Sequence, residues 1–561
     1  MNISKIKIFF ALGLFFMGIY SCDLGVSPSD SISTSKMQDP SSIVYATDGN
    51  YSMMKDILEF QGSENDGNTY VRHLTQLCEF NGDNTCLSGR TSDPLYETAT
   101  YKLDATMSNI SYFWWCAYKI IYGANNIIAS VSESDDHSMN ELLGENYFLR
   151  AMCHFDLVRL FARPYNQGRD NPGVVLMDSP VKESVTRATV GEVYDLIVSD
   201  LQRASSLMQQ KYSRGNSYAN QAAALALLSR VYLYMGENEK VVETADKVFD
   251  LVPISNLEPT STFPDYFANA LSSSETLFAV AHTAADNKGQ ASIGSMYLND
   301  GIGWGEVYAS ESYLDLLEQY PEDVRNKFIR PVYTYDGSGK HKYWIYYSVL
   351  NIDNNNLEDV NYEVTYDTSA GRYKFTDENG NIVYVNKSTS EGKDVYSIVL
   401  NGKTQIVHFG YEMDERNGYP KYYVLKYSYQ DDDPMLSSPV ILRLAEVVLN
   451  RAEAYAKLGK TDEALADVNT IRERAGLSGD ELFSSTNMHG YDNVLDVVLD
   501  ERRLELAFEG QRAFDVFRNG KSLDRRYPGV QPAVVISPDD ERIINYIPQS
   551  EILVSNIEQN P

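Results

Sequence analysis

The chain has 561 residues, 43% of them hydrophobic, which is enough for a large folded core. Its 48 Lys and Arg residues stand against 78 Asp and Glu residues, so the net charge at pH 7 is -30. A field of that sign repels phosphate backbones, which argues against nucleic-acid binding and is typical of a soluble, non-adhesive surface.

The N-terminus has the pattern of a targeting segment. Lysines at positions 5 and 7 precede an apolar run over residues 8–20, which is too short to cross a bilayer as a stable helix. The run ends in Ile19-Tyr20-Ser21-Cys22, which is similar to a bacterial lipobox with a bulky Tyr where a small residue is usual. An ordinary secretory signal with an incidental cysteine is the alternative.

We therefore expect residues 1–21 to be a lipoprotein signal peptide, and Cys22 to carry the acyl chains, palmitate among them, that anchor the protein to a membrane. The residues that follow are rich in Ser, Asp and Pro. This composition predicts that residues 22–45 form a lipidated, flexible tether.

Four cysteines remain in the mature chain. Cys78 and Cys86 flank a turn that contains Gly and Asn, so they either close a small disulfide loop or stay free. Cys116 and Cys153 lie in apolar helical patterns, where a buried free thiol is expected. Because there is no Cys-x2-Cys and no Cys/His cluster, no metal site is predicted.

Two long helices are predicted in the region 46–220. The first covers residues 111–131 (SYFWWCAYKIIYGANNIIASV) and the second residues 145–166 (ENYFLRAMCHFDLVRLFARPYN). His154, Asp156 and Arg159 in the second helix are types that catalysis uses, but their position favours a structural polar set beside a core face.

Helix pairs of a repeat kind follow in the region 221–329 and again near the C-terminus. The segments 222–250 and 447–475 each carry Tyr-x3-Gly between two helical patterns, with the glycine at 236 and at 459. Such a pair resembles a tetratricopeptide unit, in which the glycine ends the first helix. One unit cannot bury its own apolar face, so we expect several to stack into one scaffold.

The region 330–430 has a different pattern. Alternating Tyr, Val and Ile runs are separated by turn clusters such as Asp336-Gly337-Ser338-Gly339, which predicts β-hairpins inserted in the helical scaffold. The insertion either contacts a ligand or partner or merely caps the scaffold. The 41 tyrosines of the chain allow both readings, because Tyr suits polar-ligand surfaces and also fills strands.

A charged and apolar block (LDERRLELAFEGQR) covers residues 499–512. Wound as one helix, it places Arg502, Glu505, Glu509 and Arg512 on one face, with apolar residues on both sides of it. Isolated buried ions are too costly to keep, so these charges are expected to be paired. The block predicts a structural network and not an active site.

Together these elements resemble the SusD/RagB family of outer-membrane nutrient-binding lipoproteins. The block 499–512 with its continuation AFDVFRNGK is similar to the family's C-terminal signature, and INYIPQSEI (544–552) to its terminal PIPQSEI motif. The two helices at 111–131 and 145–166 resemble the family's N-terminal elements. The resemblance covers the chain from about residue 49 to its end, with the family's C-terminal region at 431–561.

The resemblance implies a mainly α fold, a tetratricopeptide-like repeat scaffold with irregular loops and a β-hairpin-rich insertion. It also implies a non-catalytic, surface-exposed, lipid-anchored protein of the outer membrane. Such a protein binds oligosaccharide and passes it to a TonB-dependent SusC-like transporter. No Gly-x4-Gly-Lys-Ser/Thr, Gly-x-Ser-x-Gly or His-Glu-x2-His motif is present, so no catalysis and no cofactor are predicted.

The resemblance also implies where ligand contacts lie, in the irregular N-terminal segment 61–101 and in the loop 293–310. Aromatic rings there would pack on sugar faces while amides, carboxylates and guanidinium groups bind hydroxyls. The candidates in the first segment are Tyr70, Arg72, Asn81, Asp83, Arg90 and Tyr96. The candidates in the second segment are Tyr297, Asn299, Asp300, Trp304 and Tyr308.

Trp304 is the strongest of these candidates. It stands between Gly303 and Gly305, so it has no helical or strand neighbours to bury it. The ligand class stays open, since a peptide or another nutrient fits the same pattern. A repeat scaffold that serves only protein–protein assembly is a further alternative.

Overall fold

The computed structural model describes residues 40–133, 136–181, 185–209, 214–390, 393–555 and 557–561. The predicted signal peptide, Cys22 and most of the predicted tether lie outside this range. A helix begins at Pro40, so the prediction that the tether reaches residue 45 is wrong for its last residues. None of the helices in the described ranges combines the length and the apolar character that crossing a membrane requires.

The described helices are α1 (Pro40–Ser52), α2 (Tyr70–Glu79), α3 (Leu95–Thr100), α4 (Ser108–Ser130), α5 (His137–Phe161), α6 (Val190–Leu207), α7 (Gln221–Met235), α8 (Asn238–Leu251), α9 (Ile293–Tyr297), α10 (Glu311–Leu317), α11 (Leu444–Lys457), α12 (Thr461–Arg474), α13 (Val494–Leu506), α14 (Arg512–Arg518) and α15 (Gln549–Ser555).

The described strands are β1 (Thr85–Leu87), β2 (Pro172–Val175), β3 (Arg187–Thr189), β4 (Thr276–Ala279), β5 (Val307–Ala309), β6 (Ile329–Pro331), β7 (Tyr343–Asn351), β8 (Asn356–Asp367), β9 (Arg372–Thr376), β10 (Ile382–Tyr384), β11 (Asn386–Ser390), β12 (Lys393–Leu400), β13 (Lys403–Tyr411), β14 (Glu415–Arg416), β15 (Tyr419–Pro420), β16 (Tyr422–Val424), β17 (Val440–Arg443), β18 (Leu523–Asp524) and β19 (Val535–Ile536).

The predicted helix pairs are confirmed as α7–α8 and α11–α12. Gly236 and Gly459 follow the first helix of each pair with φ of +77° and +75°, a left-handed conformation that glycine adopts without strain. Helices α4 to α7 pack in sequence, and α11 packs on both α7 and α8. One large apolar core runs through this scaffold. The mainly α, tetratricopeptide-like fold is therefore confirmed.

The polar residues of α5 serve structure, as predicted. His154 Nδ1 donates to the carbonyl oxygen of Arg150 at 2.9 Å, and its Nε2 accepts from the backbone N–H of Met177. Asp156 accepts a hydrogen bond from the Tyr70 hydroxyl at 2.6 Å and pairs with Arg159 at 2.7 Å. All these side chains are buried or nearly so, and their partners are internal.

The predicted β-rich insertion is confirmed as a seven-stranded antiparallel sheet in the order β10-β9-β8-β7-β13-β12-β11. The sheet curls into a near-barrel, in which the edge strand β10 comes close to β12, the strand next to the opposite edge. Its interior is lined by side chains that are largely aliphatic: Ile345, Val364, Phe375, Val383, Val385, Ile398 and Val407. The sheet covers residues 343–411, which lie within the predicted insertion 330–430.

The block 499–512 is not one helix. Helix α13 ends at Leu506 and α14 begins at Arg512, with Phe508 and Gly510 between them at φ of +69° and +70°. The predicted alignment of four charges on one helix face is therefore wrong. The predicted pairing is confirmed, since Arg502 meets Asp515 at 2.9 Å and Glu505 meets Arg443 at 2.5 Å.

Glu505 lies at the centre of a buried ion network. Its carboxylate contacts Arg443, Arg474 and Arg325, and its solvent exposure is zero. Glu275 bridges Arg443 and Arg474 at 3.0 and 3.1 Å. The network joins α12 and α13 to the segments before β6 and α11, so it fixes the C-terminal helices on the scaffold.

The cysteines of the described residues are free and buried. The disulfide between Cys78 and Cys86 that the sequence left open is thus not formed in the structure. Burial raises the pKa of the Cys78, Cys86 and Cys116 thiols to about 12, so they stay protonated at neutral pH.

The near-barrel docks on α10 through a small acidic interface. Asp359 of β8 and His408 of β13 face the carboxylates of α10 around a cavity of about 40 Å³. His408 Nε2 lies 3.2 Å from a carboxylate oxygen of Glu311. Burial, followed by the charge of Glu311, raises the pKa of Asp359 to about 7, and Glu415 acts in the same direction.

This interface predicts a pH-dependent effect of Asp359→Asn. An unfolded aspartate titrates near 4, so between about pH 4 and pH 7 the unfolded chain loses a proton that the folded chain keeps. Wild-type stability therefore falls as pH rises through this window, whereas the amide variant has no such loss. Thermal melts should show the variant about 1–2 kcal/mol more stable than the wild type at pH 8 and level with it at pH 4.

The matched control is Asp353→Asn, in the exposed turn between β7 and β8. It should leave the melting temperature unchanged at both pH values. A stability difference for Asp359→Asn that is the same at pH 4 and pH 8 contradicts the prediction.

Candidate functional site

A cleft of about 550 Å³ opens between the segment before α2, the segment before α3 and the loop after α9. Most of its lining is polar. The charged members are Asp66, Arg72, Arg90, Asp93, Glu306 and Arg416. One large aromatic side chain, that of Trp304, lines the same cleft and is 50% exposed.

The loop that carries Trp304 is held in place by its backbone. The N–H groups of Trp304 and Gly305 both donate to the carbonyl oxygen of Ser295 at 2.9 Å. A Cβ at Gly303 would lie 1.9 Å from the carbonyl oxygen of Leu298, and Gly305 has φ of +49°. Both glycines are thus required by the close fold of the loop, which leaves the indole on the surface.

The cleft floor is an ion pair. Arg72 Nη2 lies 2.6 Å from Asp93 Oδ2, and Gln76 donates to the other oxygen of Asp93 at 2.9 Å. Burial would raise the pKa of Asp93, but Arg72 outweighs it and lowers that pKa, so the carboxylate stays charged. Beside it, burial lowers the pKa of His73 to about 4, so this imidazole is neutral.

The rim of the cleft carries two further cations. Arg90 is exposed, with its guanidinium 5.8 Å from the ring centre of Tyr96. Arg416 Nη1 donates to the carbonyl oxygen of Trp304 at 2.7 Å, and its Nη2 lies 3.8 Å from Glu306. Burial raises the pKa of Glu306. The rim therefore presents hydrogen-bond donors and acceptors around the indole, and side chains of both positive and negative charge.

A second depression, of about 440 Å³, adjoins the cleft. Asn65, Asn68 and Ser108 line both, so they form one groove. The far part is lined by Phe60, Gln61 and Gln549. The combined groove has room for more than one unit of an oligomeric ligand.

Part of the predicted binding set meets in this cleft. Trp304, Arg72 and Arg90 line it, and Tyr96 lies beside Arg90. Asn299 is exposed on the Trp304 loop. Asp300, on the same loop, is part-buried and pairs with Arg330 at 2.7 Å.

Other predicted residues are not on the surface. Tyr70, Tyr297 and Tyr308 expose 1% or less, so the expectation that these rings face solvent is wrong. Their rings pack among other aromatic side chains in the core, with Tyr297 stacked 5.8 Å from Tyr427.

Asp83 and Asn81 also have internal roles. Asp83 is 2% exposed and pairs with Arg512 at 2.8 Å, so its expected exposure is likewise wrong. The backbone carbonyl of Asn81, which is part-buried, accepts a hydrogen bond from the Tyr101 hydroxyl at 2.7 Å. Asp83 holds the loop after α2 against the C-terminal region, and Asn81 holds it against the residue that follows α3.

Several cleft residues escaped the sequence prediction. The turn Asn65-Asp66-Gly67-Asn68 and Asp93 fall inside the predicted segment 61–101, where their polar, turn-forming composition is a usable signal. Glu306 and Arg416 had no such signal. Arg416 lies 112 residues from Trp304 in the chain and reaches it only in the folded protein.

The arrangement suits the binding of a polyhydroxylated ligand. A half-exposed indole offers an apolar face for C–H groups, and the surrounding amides, carboxylates and guanidinium groups can bind hydroxyls in either hydrogen-bonding role. Within the described ranges, no group of His, Cys, Asp and Glu side chains has the geometry of a metal site.

Comparisons with known proteins agree on one family. A protein-family sequence model described as "SusD family" matches residues 275–552. A second family model, described as "Starch-binding associating with outer membrane", matches residues 52–233. SusD-like protein P2 of Formosa agariphila is 27% identical over 464 residues, 80% of this chain and 79% of that protein. SusD-like protein P38 of the same organism is 24% identical over 453 residues, again 80% and 79%.

A solved structure of the same family has a similar fold. A crystal structure of a SusD superfamily protein from Bacteroides thetaiotaomicron superposes with a TM-score of 0.69 at 26% identity. The superposition covers 93% of this chain and 99% of that one.

Proposed function

The chain belongs to the SusD/RagB family of non-catalytic binding proteins, and from this premise we propose that it captures an oligosaccharide in the cleft beside Trp304. The family model that matches residues 52–233 is described as starch-binding and as associating with the outer membrane, which supports a carbohydrate ligand.

The half-exposed indole over a polar cleft carries the proposal. Exposing a tryptophan costs free energy that burial would recover, and here the glycine-lined loop keeps the ring on the surface. The ion pair of Arg72 with Asp93 offers fixed hydrogen-bonding groups at the bottom of the cleft. An apolar face above polar groups matches a pyranose ring and its hydroxyl rim.

Delivery and location complete the proposal. We propose that acylation of Cys22 anchors the protein on the cell surface at the outer membrane. The glycan then passes to a TonB-dependent SusC-like transporter, which is the expected partner. Mild detergent extraction followed by affinity purification should recover such a transporter with the full-length chain. Recovery of the chain without any TonB-dependent protein would overturn the delivery step.

A binding screen tests the ligand class. Residues 23–561, which include all described residues, are titrated with neutral oligosaccharides and with peptides of similar size by calorimetry. We expect binding of at least one oligosaccharide, with no release of smaller sugars on prolonged incubation. Binding of peptides and of no oligosaccharide would replace the proposal by the peptide alternative.

A further inference from the structure

One end of the near-barrel carries a continuous run of aromatic rings, here called the aromatic tract. Its six members, in order of contact, are Tyr335, His341, Tyr411, Tyr343, Tyr373 and Tyr366. Successive ring centres lie 4.4, 4.3, 5.2, 5.3 and 5.2 Å apart. The tract crosses four strands or their flanks, so it is a property of the folded sheet.

The tract begins at the core of the near-barrel and extends to the surface. Tyr335 is 61% exposed and Tyr366 is 53% exposed, while Tyr411 and Tyr343 are 41% and 37% exposed. The barrel interior next to it is filled by largely aliphatic side chains that are almost fully buried. Alternation along β7 and β13 puts Tyr343 on the face of Ile345, and Tyr411 on the face of Val407. The interior face thus continues into exposed tyrosine rings where it meets solvent.

The charges around the tract indicate an uncharged occupant. Lys374 is paired with Asp367 at 2.7 Å, and Lys342 lies between Glu363 and Glu412 at 3.5 and 3.4 Å. Neither positive nor negative side chains are in clear excess beside the rings. The whole chain carries a net charge of -30, which disfavours an anionic polymer. Tyrosine rings suit neutral sugars, because each has an apolar face and a polar hydroxyl at its tip, and a sugar has apolar faces and a polar rim.

The tract is also close to the cleft along the chain. Tyr411 precedes Arg416 by five residues, which at full extension is at most about 18 Å. Arg416 itself is hydrogen-bonded to the carbonyl oxygen of Trp304. The ring of Tyr333 lies 5.7 Å from that of Tyr411, and Tyr333 is only three residues beyond Arg330, the partner of Asp300 on the Trp304 loop. A chain of a few sugar units spans such a distance.

We propose that the aromatic tract is a second carbohydrate-binding surface, which holds an extended, uncharged polysaccharide while one segment of the same chain occupies the cleft. This proposal rests on the glycan-binding function proposed above and adds the ligand's length and neutrality. It assigns the insertion a role in ligand binding in place of a simple cap on the scaffold.

The test compares polymer with oligomer. The probes are soluble starch, laminarin, xyloglucan and galactomannan, each beside a short oligosaccharide of the same linkage. The variant is Tyr335→Ser/Tyr366→Ser/Tyr411→Ser in residues 23–561. Affinity electrophoresis measures polymer binding, calorimetry measures oligosaccharide binding, and a thermal melt checks folding.

Matched variants isolate the ring faces. Ile382→Ser/Val399→Ser/Ile406→Ser removes three exposed apolar side chains of the same insertion that lie outside the tract. Tyr335→Phe/Tyr366→Phe/Tyr411→Phe keeps the faces and removes the hydroxyl groups. Trp304→Ala reports on the cleft alone.

We expect the serine tract variant to bind the polymer at least about tenfold more weakly, while its affinity for the short oligosaccharide is unchanged. The isoleucine and valine control should bind both probes as the wild type does, and the phenylalanine variant should keep most of the polymer affinity. Trp304→Ala should lose affinity for both the polymer and the short oligosaccharide.

One result would overturn the tract and leave the cleft intact: equal polymer binding by the serine variant and the wild type. If the wild type binds none of the four polymers and none of the oligosaccharides, the proposed function fails together with the tract. If the serine variant does not fold, the single variant Tyr366→Ser decides by the same comparison, because this side chain is 53% exposed.

Discussion

Replacing Glu505 by glutamine is expected to destabilise the protein by about 3–5 kcal/mol, the largest effect of any single substitution predicted here. Burial alone would raise the pKa of Glu505. Arg474, Arg443 and Arg325 outweigh burial and hold that pKa well below its usual range. The amide leaves three guanidinium groups around a site that has lost its charge and that is shielded from solvent.

The sign of the pH dependence follows from the lowered pKa. The stability that Glu505 contributes is present in full above the pKa of an unfolded glutamate, near 4.3, and is lost as pH falls through the lower folded value. Urea denaturation at pH 7 should therefore show the full deficit of Glu505→Gln. Because the network is buried, the deficit should persist at 1 M salt.

An exposed ion pair provides the control for this experiment. Arg169 and Asp195 lie 2.9 Å apart, with side chains that are 54% and 60% exposed. Asp195→Asn should cost less than about 1 kcal/mol and should lose even that at high salt. If Glu505→Gln lowers the free energy of unfolding by no more than Asp195→Asn does, the buried network does not stabilise the attachment of the C-terminal helices to the scaffold.

Trp304→Ala is expected to weaken oligosaccharide binding by about 100-fold, with little change in stability. The indole is half exposed and the loop is held by backbone hydrogen bonds to Ser295, so the fold does not depend on the ring. The loss follows because the apolar face on which a sugar packs is removed. Calorimetry with the best oligosaccharide from the screen measures the affinity, and a thermal melt measures the stability.

Ile302→Ala is the matched control for Trp304→Ala. Ile302 lies on the same loop and is 58% exposed, but it does not line the cleft. Its truncation should leave the affinity within about twofold of the wild type, since surface substitutions away from a site have small effects. Equal losses for both variants would mean that the loop, and not the indole, is what the ligand requires.

The scaffold was predictable because its signals are local. Apolar periodicity and the glycines at 236 and 459 predict the helix pairs α7–α8 and α11–α12, and both pairs are present in the structure. The block 499–512 shows the limit of this reasoning. Its apolar spacing continues through Phe508, so periodicity predicts one helix, but Phe508 and Gly510 adopt positive φ and end it.

The site was predictable only in part, because burial depends on contacts that are distant in the chain. Trp304 was found from its two flanking glycines, which are a local signal. Tyr297 and Tyr308 stand in the same loop region, yet both are buried, Tyr297 against Tyr427 and Phe508 and Tyr308 against Tyr423. Arg416 follows the insertion in the chain and reaches the cleft only in the folded protein. No pattern in the neighbouring sequence indicates that it lies in a binding site.

The most direct test of the central claim is a crystal structure of residues 23–561 with the best oligosaccharide from the binding screen. The proposal predicts a sugar ring packed on the Trp304 indole, with carbon atoms within about 4 Å of it and hydroxyls bound to polar groups of the cleft. An oligosaccharide bound elsewhere on the chain, with the Trp304 ring uncovered and the cleft open, would contradict it.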